Sequence, residues 1–202
     1  MIEFGREVCA HLPIAERREW LVTNGIGGYA MGTVAGLLTR RYHGLLVAAL
    51  QPPLGRTLLL AKLDEDAKYG GAQFSLAANR WADATVEQEG LCYLERFHLE
   101  GTTPVWSYAL GDALLEKRVW MQQGANTTYV RYDLRRGSAP LELYAKALVD
   151  CRDHHQTTIL NDWKPEIRPV ANGLRVQVHE GAQPLYLLTA RGQAWPDFTW
   201  YE

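Results

Sequence analysis

Two short runs concentrate the side chains best suited to chemistry. Thr39-Arg40-Arg41-Tyr42-His43-Gly44 places two guanidiniums, a phenol and an imidazole ahead of an apolar segment, and Cys151-Arg152-Asp153-His154-His155 joins a thiol, a guanidinium, a carboxylate and two imidazoles. Arginine presents a planar fork of donors and tyrosine a flat ring, so the first run suits a polyhydroxylated or anionic ligand. Read as a strand, it sends Arg40 and Tyr42 to one face and Arg41 and His43 to the other. The competing reading is a structural bridge between two loops. In the second run, imidazole and carboxylate are transition-metal ligands. Adjacent histidines on a strand diverge, however, and no second cluster is spaced to complete a shell, so no metal is expected. A Cys151 nucleophile would need a base brought near it by folding.

The stretch ahead of the first run is rich in glycine and poor in acid. Six of the 18 glycines fall between Asn24 and Gly44, and no acidic residue lies between Glu19 and Asp64. Gly25, Gly27 and Ala30 formally fit the dinucleotide pattern G-x-G-x-x-A. The helix that this pattern requires is interrupted by Gly32 and Gly36, no acidic residue follows about twenty positions on, and strands do not alternate with helices. The glycines instead allow tight turns and close backbone approach.

The elements that must position these groups read as strands. Candidates are Trp20–Thr23, Leu45–Leu50, Thr57–Leu63, Tyr93–Leu99, Val105–Leu110, Thr128–Leu134, Leu141–Val149 and Leu185–Ala190, punctuated by glycine. Ile167–Val178 reads as a hairpin turning on Asn172-Gly173 in a type I′ geometry. Ala113–Met121 would also suit a short helix and is assigned to strand. Many strands, short turns and few helices predict an all-β fold of antiparallel sheets packed face to face.

Composition sets the outer limits. The chain has 202 residues, 47% of them apolar, and 21 Lys+Arg against 23 Asp+Glu for a net charge of -2. That balance gives no nucleic acid or anionic membrane as a main partner. The longest apolar run, Leu45 to Leu50, is far short of the ~20 residues of a membrane-spanning helix. No secretory signal is visible in a start carrying Glu3, Arg6 and Glu7, so a cytoplasmic location is expected. Cys9, Cys92 and Cys151 are odd in number and widely spaced, and read as free thiols.

The ordered blocks Glu19–Ala30, Gly32–Gly36, Thr39–Ala49 and Gly55–Glu65 resemble the N-terminal domain of bacterial and archaeal glycogen debranching enzymes, the amylo-α-1,6-glucosidases. Tyr93-Leu94-Glu95-Arg96-Phe97, Leu115-Glu116-Lys117-Arg118, Gly124-Ala125-Asn126-Thr127-Thr128 and Arg152-Asp153-His154-His155 extend the likeness over most of the chain. The resemblance implies a large antiparallel β-sandwich of the supersandwich type, followed by a helical toroid that supplies the acidic pair for hydrolysis of α-1,6 branches. It implies no cofactor. The expected partners are an α-glucan such as glycogen or branched dextrin, the C-terminal helical toroid domain of the same polypeptide, and a second copy of the chain through the exposed interface. Arg40, Arg41, Tyr42 and His43, with Arg152, Asp153, His154 and His155, are the expected glucan-facing residues, and no catalytic residue is expected.

The acids agree with that division. Glycoside hydrolysis needs two carboxyl groups flanking the bond. Asp64, Glu65 and Asp66 read as a solvated strand end, and Asp150, Asp153 and Asp162 as part of the second reactive run. Trp81, Trp106, Trp120, Trp163 and Tyr69 would stack on sugars in an autonomous carbohydrate-binding module, although most tryptophans of a sandwich belong to its core. A purely structural interface domain is the third reading. Trp195, Phe198, Trp200 and Tyr201 crowd the last eight residues, an aromatic tail that predicts one domain continuing into further chain.

Overall fold

The computed structural model describes residues 2–159 and 164–199. In chain order the elements are β1 (Glu3–Phe4), α1 (Arg6–Cys9), α2 (Leu12–Ala15), β2 (Glu19–Thr23), β3 (Tyr29–Thr33), β4 (Gly44–Gln51), β5 (Leu54–Tyr69), β6 (Ala72–Ser75), β7 (Asn79–Arg80) and β8 (Val86–Glu87). There follow α3 (Glu89–Tyr93), β9 (Leu94–Glu100), β10 (Thr103–Leu110), β11 (Ala113–Met121), β12 (Thr128–Arg136), β13 (Leu141–Asp153), β14 (Glu166–Val170), β15 (Gly173–Gln177) and β16 (Leu185–Leu188). The ambiguous Ala113–Met121 segment is strand, because its alternating residues Ala113, Leu115, Val119 and Met121 are buried against the opposite sheet.

Two antiparallel sheets form the sandwich. One has the order β1-β9-β10-β11-β12, and the other runs β13-β5-β4-β3-β2 with β6 paired to β5. One buried apolar cluster joins Leu45, Leu46, Ala48, Leu59 and Leu60 of the second sheet with Phe97, Trp106, Tyr108, Leu115 and Val119 of the first. Trp106 anchors this core, edge-on to Trp20 at 5.3 Å and to Phe97 at 5.1 Å, with its indole N–H donating to Val34 O at 3.0 Å. β4 is buried from Gly44 to Ala49, as an unbroken apolar run demands when both faces of a strand are covered.

At one end the sheets are tied by amides. Asn24, fully buried, accepts from the Ile26 and Gly28 N–H groups and donates to Ala125 O and Asn126 Oδ1. Asn126 in turn exchanges hydrogen bonds with both backbone groups of Ala49. The Gly25–Gly28 segment therefore closes the β2–β3 hairpin and precedes no helix. Gly27, at φ +102°, has no room for a side chain, because a Cβ would lie 2.5 Å from Pro53 O.

Two sequence expectations change here. The hairpin over Ile167–Val178 forms, but Val170 pairs with Gly173, so Ala171 and Asn172 occupy the turn and only Asn172 takes a positive φ, 62°. Gly173 is a strand residue packed under Leu187 O. Asp64, Glu65 and Asp66 are not a solvated strand end: β5 runs on to Tyr69, and Glu65 is 4% exposed. Its carboxylate accepts from Lys117 Nζ and, at 2.6 Å, from the Tyr132 hydroxyl, while Lys62 is tied to Asp64, Asn79 and Ala78 O.

Candidate functional site

Thr39–His43 is not a strand. Arg40, Arg41 and Tyr42 form a turn closed by His43 N–H donating to Arg40 O at 3.0 Å, and β4 begins only at Gly44. The expected alternation is lost with it. Arg41 and Tyr42 point one way, and Arg40 and His43 meet at Glu19.

The second run sits beside the first. β13 pairs with the start of β5, Arg152 opposite Leu58 and Asp153 opposite Thr57, and turns at His154 and His155. Arg152 Nη2 donates to Arg41 O at 2.7 Å across 111 residues of sequence. Arg41 Nη1 returns a bond to His155 O at 2.8 Å, and the Tyr42 hydroxyl lies 3.2 Å from His155 Nδ1. The Tyr42 ring stands 5.7 Å from that of His154 and 5.6 Å from that of His155.

Roles within this cluster differ. Arg152 is a tether: Nε meets Asp150 Oδ2 at 3.1 Å, Nη1 meets Gln156 O at 2.6 Å, and its side chain is 11% exposed. Asp153 accepts the His155 N–H at 2.8 Å, which shapes the turn and leaves its carboxylate half-exposed. His154 Nδ1 lies 3.2 Å from Arg56 O; a carbonyl can only accept, so the ring proton is on Nδ1 and Nε2 offers a lone pair. Burial, then neighbouring His155, pushes the His154 pKa below its ordinary value and keeps the ring neutral. Arg41, Tyr42 and His155 are exposed.

Two further residues position the cluster without a sequence signal of their own. Tyr29 donates to Tyr42 O at 3.0 Å, and Arg56 Nε donates to Gly27 O at 2.7 Å while its own carbonyl receives the His154 N–H. Nothing in their local sequence marks them, since both act through backbone atoms of distant segments.

Among the described residues no group of three or more His, Cys, Asp or Glu is placed to hold a metal ion. Cys9, Cys92 and Cys151 are free, and burial raises the Cys9 pKa to about 11, which makes it a poor nucleophile. Of the aromatic candidates, Trp106 and Tyr69 are buried, Trp81 and Trp120 are half-buried, and Trp120 stacks on exposed Tyr129 at 5.3 Å. Trp163, Asp162, Trp200 and Tyr201 lie outside the described residues. No described helix is long and apolar enough to cross a membrane.

No curated protein and no solved structure matches the chain. One family model does, the glycogen debranching enzyme N-terminal family, over residues 18–202. That match takes in the whole sandwich from β2 onward together with both halves of the turn cluster, and the chain belongs to the glycogen debranching enzyme N-terminal family.

Proposed function

We propose that this is the non-catalytic N-terminal domain of a glycogen debranching enzyme, packing against a C-terminal helical toroid and shaping its α-glucan cleft. The observation that carries the reading is the junction of Arg41 and Tyr42 with His154 and His155, held by Arg152 and Tyr29. It leaves an exposed phenol ring, a guanidinium with spare donors, a half-exposed carboxylate and an imidazole acceptor side by side. Such a set can stack on a sugar ring and bond its hydroxyls, or meet the acidic surface of a neighbouring domain.

The acids support scaffolding over cutting. Glu65 is clamped inside the sandwich by Lys117 and Tyr132, and Glu116, Asp133 and Asp150 hold arginines. The chain alone should release no glucose from branched dextrin. In the complete enzyme, Arg41→Ala and Tyr42→Ala should lower kcat/KM for branched dextrin without lowering Tm. Undiminished kcat/KM in both variants would reduce the cluster to a structural junction.

A further inference from the structure

On the other side of the same turn lies a groove of about 230 Å³ lined by Glu16, Arg17, Glu19, Thr39, Arg40 and Arg80. Two ion pairs frame it. Arg80 Nη2 meets Glu16 Oε2 at 2.7 Å, and Arg40 Nε meets Glu19 Oε1 at 2.7 Å. Behind Glu19 stands His43, its side chain 0% exposed and its Nε2 3.1 Å from the same oxygen. The Thr39 N–H donates to His43 Nδ1 at 3.1 Å, so the ring proton is on Nε2 and points at Glu19. Burying an imidazole is unfavourable unless both nitrogens are satisfied. Here one nitrogen holds the turn and the other aims a carboxylate along the groove. Each ion pair uses one oxygen of its carboxylate, and exposed Arg17 carries no ion pair among the described residues.

The lining narrows the ligand by its chemistry. Three guanidiniums oppose a metal cation, a phosphate would have to break into two carboxylate–guanidinium pairs for a net charge of only +1, and an apolar guest would strip water from five charged groups without replacing its hydrogen bonds. A neutral polyol avoids all three penalties, because each hydroxyl can donate to a free carboxylate oxygen and accept from a guanidinium N–H. The volume is below the ~300–1,000 Å³ of pockets for drug-sized ligands, which suits a single ring.

We propose that this groove is a subsite for one pyranose ring of a saccharide, separate from the Arg41–Tyr42 cluster, with Glu19 and Arg40 as a fixed acceptor and donor and His43 as the positioning residue. The site does not depend on the function proposed above; only the choice of an α-glucan probe does. The test is titration of the ¹⁵N-labelled chain with maltotriose and, separately, with inorganic phosphate, read by amide chemical shifts. Maltotriose should give saturable shifts at Thr39, Arg40 and Arg80, and phosphate should give none. Glu19→Gln should raise the Kd about tenfold, the loss of one charge-assisted contact. Arg17→Ala, at an exposed position that the fold does not use, should raise it about threefold. Unmoved groove amides, saturation by phosphate, or an unchanged Kd in both variants would overturn the subsite. Shifts confined to the Arg41, Tyr42, His154 and His155 region would overturn it while supporting the function proposed above.

Discussion

Glu65 and Asp153 are both acids set among bases and aromatic rings, yet Glu65 is 4% exposed and the Asp153 side chain 50%. Around Glu65 a lysine and a tyrosine hydroxyl converge on the carboxylate, and that lysine lies 5.7 Å from the Trp106 ring. Around Asp153 the arginine is spent on backbone carbonyls and on Asp150, the His155 ring is exposed, and the carboxylate is half-exposed. The first cluster is closed and holds the two sheets together; the second is anchored from below and left open above. A charged cluster is available for recognition where its positioning bonds come from the backbone and its outward groups are not consumed by one another.

Breaking the closed cluster should have the largest effect. Glu65→Ala leaves the Lys117 ammonium buried without its partner and should cost about 3–5 kcal/mol by urea denaturation. Replacing both partners, Glu65→Leu with Lys117→Met, should recover most of that loss, and failure to recover would mean that the pair itself contributes net stability. Next comes Arg152→Ala, which removes the tether between the two runs and should cost roughly 1.5–3 kcal/mol while increasing amide exchange at Arg41 and His155.

A smaller, graded effect should follow pH. His43 and His154 both have pKa values lowered in the fold, chiefly by burial, from an ordinary 6.5. On acidification the unfolded chain takes up these protons first, so stability is complete above that value and falls as the pH drops through and below it. Thermal melts between pH 7.5 and 5 should show the decline, and His154→Gln should flatten part of it. The least effect on stability is expected from Arg41→Ala, within about 0.5 kcal/mol, since its exposed guanidinium makes a single bond to His155 O. A large destabilisation there would move Arg41 from the open cluster to the structural one.

Much of the sandwich was legible because its signals are local. The run Leu45–Leu50 announces a covered central strand, and the alternation in Leu174–Val178 announces a half-covered one. β3 carries no such signal, because Tyr29-Ala30-Met31-Gly32-Thr33 contains glycine and little branched apolar character; its pairing with β2 and β4 makes it a strand. Tyr93, read as the start of a strand, ends α3 instead, since the short helix turns the chain into β9 at Leu94.

The sequence by itself determined the class of fold, the family, and the two reactive runs as places of interest, since residue type, periodicity and motif order are properties of the chain. Which of those residues face outward was decided only by tertiary structure. The turn at Arg40–His43 splits four neighbours between two sites, Arg152 becomes a tether by reaching Arg41 O, and Glu19 becomes a site residue because buried His43 and Arg40 converge on it. The physical reason is that hydrogen bonds to backbone atoms depend on where the chain passes and not on which side chain it carries there, so they leave no mark in a pattern of residue types.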